Sequence, residues 1–201
     1  MPKLLLATGN AGKLKELREL TADQADWDWI GLSAFPDVTE AVEDGDTFHA
    51  NACKKALHYG AASGLLTMAD DSGLEVDALD GAPGVHSAYY AGLPRSDANN
   101  NAKLIEALRD VAPEQRTARF RCVIVVARDG EILAETSGTV EGRIVDAPRG
   151  TNGFGYDPHF FIPEKGCTTA ELPPREKNAI SHRGHAVRAM LPKLATLLRG
   201  A

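Results

Sequence analysis

The sequence contains few cysteines, no excess of positive charge and no long hydrophobic run. Its three cysteines, Cys53, Cys122 and Cys167, are odd in number and lack CxxC spacing. This argues against a disulfide framework or a structural zinc site and favours a reducing compartment. The formal net charge of −6 argues against general binding of nucleic acid, which requires a basic face, but it is compatible with a small anionic ligand in a locally basic pocket.

The absence of a long apolar segment also indicates in which compartment the protein is located. Its N-terminal apolar run, residues 4–7, is much shorter than the core of a signal peptide or a membrane span. We therefore expect a cytoplasmic protein without a membrane partner. No repeat, linker or low-complexity stretch divides the 201 residues, so we predict a single domain over residues 1–201.

The pattern of apolar and polar residues predicts an α/β fold with a mixed sheet. The predicted strands cover residues 3–7, 26–32, 65–69, 119–128, 131–136 and 140–145. The predicted helices cover residues 13–20, 47–59, 96–111 and 181–199. Asp129-Gly130 predicts a hairpin turn between two strands, and the glycines and prolines of residues 147–177 predict a long, irregular loop.

A strand, a glycine-containing turn and a helix follow one another at the N-terminus. Free backbone N–H groups and the helix dipole at such a junction favour an anion, and Lys13 adds a full positive charge. The residues concerned are Thr8, Gly9, Asn10, Ala11, Gly12 and Lys13. The spacing is not that of a Walker A loop, which has four residues between Gly and Gly-Lys. A plain turn with a surface lysine is the alternative.

Two adjacent carboxylates, Asp70 and Asp71, follow the apolar residues 65–69, and we interpret them as the end of a buried strand. Carboxylates in apolar surroundings are costly unless a cation or hydrogen-bond donors compensate them. Strand ends in α/β sheets commonly bind ligands, and magnesium takes carboxylate and phosphate oxygens. The alternative is that Asp70 caps a turn and Asp71 is solvated. The acidic loop 40–46 could supply another ligand, although such loops are commonly only solvated.

A later loop places two aromatic residues among glycines, an arrangement that can stack on a base and hydrogen-bond to it. Its residues are Phe154, Gly155, Tyr156 and Asp157. A rigid structural turn explains this composition equally well. The basic residues Lys177, His182 and Arg183 then lead into the last helix, where positive charge is unfavourable unless an anionic or carbonyl-rich partner compensates it. A solvated helix start is the alternative.

The remaining histidines show no spacing typical of a metal site, and we interpret them as structural. They are His49, His58, His86 and His159.

Five stretches of the chain, in order, resemble the inosine triphosphate pyrophosphatase family, which acts on non-standard purine nucleoside triphosphates such as dITP and XTP. They read LLLATGNAGKLKEL, EDGDTFHANACKKA, ADDSGLEVDALDGAPGVHSA, TNGFGYDPHFF and AEL…KNAISHRGHA. They extend from residue 3 to about residue 188, and their number and order make the resemblance specific. It implies an elongated α/β domain with a curved mixed sheet, two lobes and a cleft between them, and a homodimer.

The resemblance also implies roles for individual residues. Asp71, Lys13 and Lys55 would be catalytic, with Asp71 accepting a proton from water, and Glu43 and Asp71 would bind Mg²⁺. The phosphates and the neighbouring part of the substrate would contact Thr8, Gly9, Asn10, Ala11, Gly12, Lys13 and Ser72. The base pocket would consist of Phe154, Gly155, Tyr156, Asp157, Lys177, His182 and Arg183. Many members carry arginine where this chain has Tyr89, so a contact made by that arginine is not assumed here.

The implied reaction is magnesium-dependent hydrolysis of ITP, dITP and XTP between the α- and β-phosphates. It yields a nucleoside monophosphate and pyrophosphate and cleanses the nucleotide pool. Two other functions compete with it. A P-loop-like kinase or ATPase would release phosphate or transfer the γ-phosphoryl group, and the Gly-Lys spacing counts against it. A nucleotide sensor without catalysis would need no paired carboxylates.

Overall fold

The computed structural model describes residues 1–24 and 26–199. Its helices are α1 Ala11–Leu20, α2 Phe48–Ser63, α3 Asp97–Ala107, α4 Pro174–Ile180 and α5 His182–Arg199. Its strands are β1 Lys3–Leu6, β2 Asp28–Gly31, β3 Leu66–Val76, β4 Thr117–Arg128, β5 Glu131–Ile144, β6 Phe160–Ile162 and β7 Cys167–Thr168. None of the helices in this described part combines the length and apolarity needed to span a bilayer.

The seven strands form one sheet in the order β2-β1-β3-β4-β5-β6-β7. Strand β1 pairs in parallel with both β2 and β3, with Leu6 opposite Met68 in the second pair. Strand β6 pairs antiparallel with both β5 and β7. The sheet is therefore mixed, and the α/β prediction is confirmed.

The chain forms two compact units, and the first contains Met1–Asp71, Cys122–Gly138 and the chain from Arg183 onward. Strand β1 alternates between two apolar clusters of this unit: Leu4 and Leu6 belong to one, and Leu5 and Ala7 to the other. A strand covered on both faces has no polar alternation, which explains why residues 4–7 are uniformly apolar. Met190 of α5 lies in the first cluster, and three α2 residues lie in the second, namely Ala52, Ala56 and Tyr59.

The second unit contains Ser72–Arg121 and Thr139–His182. Its core is one cluster in which Leu104 and Leu108 of the α3 region lie with Leu74 and Val76 of β3. Leu104 and Leu108 are four residues apart, so they share one face of the helical turn. This face of α3 therefore packs into the core of the second unit.

Two strands are longer than predicted. Strand β3 does not end at Asp70 but continues to Val76, and β5 runs from Glu131 to Ile144 without the predicted break. Both lie between other strands of the sheet, so pairing with their neighbours maintains the extended backbone where the local sequence turns polar. The hairpin between β4 and β5 forms at the predicted residues, with Asp129 at φ 53° and Gly130 at φ 82°, as a type I′ turn requires.

Three further boundaries differ from the prediction. Helix α2 passes the expected stop at Gly60 and ends before Gly64, whose left-handed φ of 66° terminates it. Helix α3, predicted over residues 96–111, begins at Asp97 after the cap Ser96 and ends at Ala107. The segment 147–177 is not wholly irregular, because it contains β6, β7 and the start of α4. Strand β6 pairs with β5, where Phe161 lies opposite Arg143, and local composition does not reveal this pairing.

Candidate active site

The turn between β1 and α1 contains the residues predicted to bind an anion. Strand β1 ends at Leu6, and the side chain of Asn10 caps the helix by accepting a hydrogen bond from the Lys13 amide at 3.0 Å. The Thr8 hydroxyl oxygen accepts a hydrogen bond from the Asn10 amide at 3.2 Å. A Cβ added at Gly9 would meet nothing within 4 Å, so the main chain there faces open space. Helix α1 begins at Ala11, two residues before the predicted start, because Asn10 is its cap.

Asp70 and Asp71 lie inside β3, beyond the point where its parallel neighbour β1 has ended. The last residue pair between the two strands is Leu6 with Met68, and the Ala7 amide still donates to the Met68 carbonyl at 2.8 Å. The two carboxylates are thus beside the carboxyl end of β1, although the prediction that they end their own strand is wrong. Both are buried, and Ser72 follows them in β3.

Two lysines approach this carboxylate pair. Lys13 Nζ lies 3.2 Å from Asp70 Oδ2 and 3.9 Å from Asp71 Oδ1. Lys55 Nζ, on α2, lies 3.2 Å from Asp71 Oδ1 and 2.7 Å from Glu43 Oε2. All three predicted catalytic residues and both predicted metal ligands therefore meet in one group within the first unit. We call Lys13, Glu43, Lys55, Asp70 and Asp71 the carboxylate–lysine cluster.

The acidic loop reaches this cluster because α2 holds it in place. The Asn51 side chain accepts a hydrogen bond from the Gly45 amide at 2.8 Å and donates one to the Gly45 carbonyl at 3.4 Å. A Cβ on Gly45 would lie 2.8 Å from the Ala50 Cβ, so glycine permits this close approach. Asn51 and Lys55 are four residues apart and share a face of α2. One face of the helix therefore positions both Glu43 and its lysine partner.

Arg183 has a different environment from the one expected of a base-pocket residue. It is 1% exposed, and its guanidinium contacts Glu16 of α1 and, at 3.4 Å, Asp70 Oδ2. Burial opposes its charge, but Asp70 and Glu16 outweigh burial and raise the pKa of Arg183. Its observed partners thus belong to the carboxylate–lysine cluster and α1. Sequence reasoning assigned Glu16 no role, since only the fold brings it to Arg183.

The two adjacent aspartates have opposite electrostatic environments. Burial raises the pKa of Asp70, but Lys13, Arg183 and Lys55 outweigh burial and hold it below the usual range. Burial also raises the pKa of Asp71, and the attraction of Lys55 and Lys13 does not reverse that effect, because Glu43 and Asp70 add repulsion. Asp70 is therefore a compensated structural anion, and Asp71 is the more basic carboxylate of the pair.

The cluster meets the requirements of a hard divalent cation. Glu43 and Asp71 already share one cationic partner, Lys55 Nζ. Asp71 Oδ2 is buried, and it accepts no hydrogen bond from the residues that the structure describes. A buried carboxylate oxygen without a donor is costly, and a cation beside it would remove that cost. Oxygen ligands of this kind suit magnesium or calcium better than softer metals.

The aromatic loop lies in the second unit and is organised around Asp157. Asp157 Oδ2 accepts a hydrogen bond from the Phe154 amide at 2.8 Å and contacts Lys177 Nζ. Its Oδ1 accepts a hydrogen bond from the Thr169 hydroxyl at 2.8 Å. Lys177 Nζ in turn lies 5.1 Å from the centre of the Phe154 ring. Phe154, Asp157 and Lys177 are therefore brought together as predicted.

The other predicted pocket residues have mixed environments. Tyr156 is 4% exposed, and its hydroxyl donates to the Ser87 carbonyl at 2.8 Å, so its ring is part of the core. The Gly155 amide donates to Asp97 at 2.7 Å. His182 stacks on Phe120 at 4.9 Å between ring centres. The guanidinium of Arg95 lies 5.9 Å from the ring centre of Tyr89.

The sequence matches the Ham1 family over residues 4–193. The chain belongs to the Ham1 family. Among its relatives, the dITP/XTP pyrophosphatase of Geobacter sulfurreducens is 52% identical over 187 residues, covering 93% of this chain and 94% of the relative. The dITP/XTP pyrophosphatase of Vibrio cholerae is 50% identical over 192 residues, covering 94% and 95%. The predicted family is thereby confirmed.

The Ham1 fold is also found among solved structures. A HAM1 protein from Coxiella burnetii matches with a TM-score of 0.86 and 43% identity over 100% of both chains. The Ham1 protein of Staphylococcus aureus matches with a TM-score of 0.84 and 39% identity over 98% of both. The agreement covers both compact units, so the Ham1 assignment applies to the described chain as a whole.

Proposed function

We propose that this protein hydrolyses non-standard purine nucleoside triphosphates, namely ITP, dITP and XTP, to the nucleoside monophosphate and pyrophosphate. The observation that carries the proposal is the carboxylate–lysine cluster beside the start of α1. It combines two phosphate-binding cations with a basic carboxylate, Asp71. The relatives named dITP/XTP pyrophosphatase at 50–52% identity support the same activity, which would remove damaged nucleotides from the pool.

The triphosphate would bind at the start of α1. The amides that follow the cap Asn10 face a site where the helix dipole favours negative charge, and the open space at Gly9 allows a phosphate to reach the main chain. Lys13 and Lys55 lie against Asp71, so they would neutralise phosphate charge next to the carboxylate that activates water. These contacts do not sense the base.

Glu43 and Asp71 would hold Mg²⁺, the cation for which their oxygens and the substrate phosphates are suitable ligands. When bound, the ion would neutralise charge on the phosphates and polarise the oxygens that receive negative charge. Asp71 would orient the attacking water and accept its proton. The raised pKa of Asp71 supports this role, because a general base is most effective when its pKa approaches the working pH.

The base would bind at the loop around Asp157. Phe154 would stack on the purine, and Lys177, His182 and Arg183 would donate to the 6-keto oxygen. The 6-amino group of adenine would leave these donors unpaired, at a cost on the order of 1–3 kcal/mol for each buried group. The observed pairing of Arg183 with Glu16 and Asp70 means that its guanidinium would have to reorient or share its donors to do this.

The decisive experiment is a panel of nucleoside triphosphates assayed with and without Mg²⁺. We expect pyrophosphate release from ITP, dITP and XTP, little from ATP and GTP, and no turnover without a divalent cation. Release of orthophosphate from ATP would instead indicate γ-phosphoryl chemistry. Tight binding of ITP without turnover would indicate a nucleotide sensor.

We also propose that the protein acts as a cytosolic homodimer. The resemblance to the family motivates the dimer, and the three cysteines without a disulfide are consistent with a reducing compartment. Light scattering coupled to gel filtration would measure the mass in solution. A mass of about 21.5 kDa, that of one chain, at micromolar concentration would exclude a stable dimer.

A further inference from the structure

Three side chains with metal-binding atoms meet on the first unit, and none belongs to the carboxylate–lysine cluster. His49 and Cys53 are four residues apart on α2, and Glu135 comes from the neighbouring part of β5. Their candidate ligand atoms all lie within 4.8 Å of one another. We call these three residues the His–Cys–Glu trio.

The distances within the trio fit the edges of a coordination tetrahedron. His49 Nε2 lies 3.1 Å from Glu135 Oε2 and 3.6 Å from Cys53 Sγ. Zinc bonds of about 2.3 Å to sulfur, about 2.0 Å to nitrogen and about 2.1 Å to oxygen place neighbouring ligand atoms roughly 3.3–3.6 Å apart at tetrahedral angles. The ligand atoms are thus already close to the spacing that one bound ion would impose.

We propose that His49, Cys53 and Glu135 bind a zinc-class divalent cation, with water as the fourth ligand. The chemistry of the three atoms selects the metal, since thiolate and imidazole favour zinc or cobalt, whereas magnesium prefers oxygen ligands alone. The all-oxygen pair Glu43 and Asp71 and the trio therefore suit different ions. A soft metal at the trio would join α2 to β5 without occupying the catalytic carboxylates.

A stabilising ion pair or a reactive thiol would explain the grouping of these three residues less well than a metal site. The His49–Glu135 pair is half exposed, with side chains 54% and 45% accessible, and an exposed ion pair contributes little to stability. Burial and Glu135 raise the pKa of the Cys53 thiol, so the group is protonated and unreactive at neutral pH. Metal binding would replace the thiol proton: one S–H bond breaks, one sulfur–metal bond forms, and one proton passes to solvent.

Cobalt provides a direct test, because a thiolate ligand gives Co²⁺ an intense near-ultraviolet charge-transfer band. The full-length protein, kept reduced with a phosphine, is titrated with Co²⁺ in excess Mg²⁺, which occupies all-oxygen sites. We expect the band to saturate at one Co²⁺ per chain and to disappear when Zn²⁺ is added. No charge-transfer band, or a band that Mg²⁺ removes, would overturn the proposal.

Variants identify the ligands. Cys53→Ser should abolish the band, and Cys167→Ser, at the other partly exposed cysteine, should leave it unchanged. His49→Ala and Glu135→Gln should weaken Co²⁺ binding at least about tenfold, the loss that even an outer-shell partner of a metal causes. A band that survives in Cys53→Ser, or is lost in Cys167→Ser, would contradict the assignment.

Circular dichroism would verify that each variant is folded. Asp71→Asn, which affects only the proposed catalytic site, should retain the band.

Discussion

Asp70 and Asp71 are adjacent in β3, yet their environments suit them to different tasks. Asp70 contacts Lys13 and Arg183, and these cations fix it as an anion. Asp71 shares Lys55 with Glu43, so its charge is less fully compensated. A carboxylate held this way is costly to the fold and useful to catalysis, a common property of active-site residues.

Replacing Asp71 should separate turnover from folding. We expect Asp71→Asn to lower kcat at least about 100-fold, the usual loss when a general base is removed, while the free energy of unfolding rises, because the burial that raises the pKa of Asp71 penalises its charged form. Steady-state pyrophosphate release and urea unfolding without metal would measure the two effects. Near-normal turnover in this variant would remove Asp71 from the mechanism.

The matched change at Asp70 should have the opposite effect on stability. Asp70→Asn removes a carboxylate from the partly buried Lys13 and from the buried Arg183, and breaking a buried ion pair costs about 3–5 kcal/mol. The pKa of Asp70 is lowered, so its contribution is complete above the ordinary value of 3.8 and is lost only as the pH falls through the lowered pKa. Urea unfolding of both proteins should therefore give the same difference at pH 7 and pH 5. A difference that disappears between these two pH values would contradict this charge assignment.

At the scale of elements, the sequence predicted correctly the strands, turns and helix starts that are determined by neighbouring residues. The apolar run of β1, the turn before α1 and the Asp129-Gly130 hairpin were predictable because their causes lie within a few residues. The continuation of β3 through Asp70 was not, because it depends on pairing with β4 and on cations from α1 and α5. The role of Glu16 escaped prediction for the same reason, since its partner Arg183 is distant in sequence.

Two glycines of the aromatic loop allow a matched test of its geometry. Gly153 and Gly155 both have left-handed φ angles, 74° and 63°, so alanine costs roughly 1–2 kcal/mol at either position. A Cβ at Gly153 would also lie 2.0 Å from Asp157 Oδ2 and 3.1 Å from Lys177 Nζ, whereas one at Gly155 would meet nothing within 4 Å. We expect Gly153→Ala to be less stable than Gly155→Ala by a further 1–3 kcal/mol or so.

The two glycine variants should also differ in their preference for ITP over ATP. Displacing Asp157 should release Lys177 from the Phe154 ring, so Gly153→Ala should lose preference for ITP over ATP and Gly155→Ala should keep it. Thermal unfolding and kcat/KM for both substrates would be compared between the two variants. Equal preference in the two variants would show that this loop does not select the base.

At the scale of the molecule, the two proposed tasks fall in different parts of the chain. The carboxylate–lysine cluster belongs to the first unit, and the loop around Asp157 belongs to the second. The protein as a whole has a formal charge of −6, so affinity for an anionic substrate must come from local cations rather than from net charge. Lys13 and Lys55 would supply it for the phosphates, and Lys177 for the base.

This division predicts two kinds of kinetic defect from the same type of substitution. Lys13→Ala and Lys55→Ala would each remove a proposed phosphate contact. A hydrogen bond to a charged group contributes about 1.5–3 kcal/mol, so kcat/KM should fall roughly ten- to a hundredfold for ITP and ATP alike. Lys177→Ala would remove a proposed donor to the 6-keto oxygen, which ATP lacks, so ITP should lose that factor while ATP loses little.

The ratio of kcat/KM for ITP to that for ATP is therefore the quantity to measure in all three variants. It should stay constant in Lys13→Ala and Lys55→Ala and fall in Lys177→Ala. Because each change removes one ammonium group, a general effect of charge on substrate attraction would lower both rates equally in every variant. A ratio that changes in Lys13→Ala, or stays fixed in Lys177→Ala, would mean that phosphate binding and base selection do not depend on separate lysines.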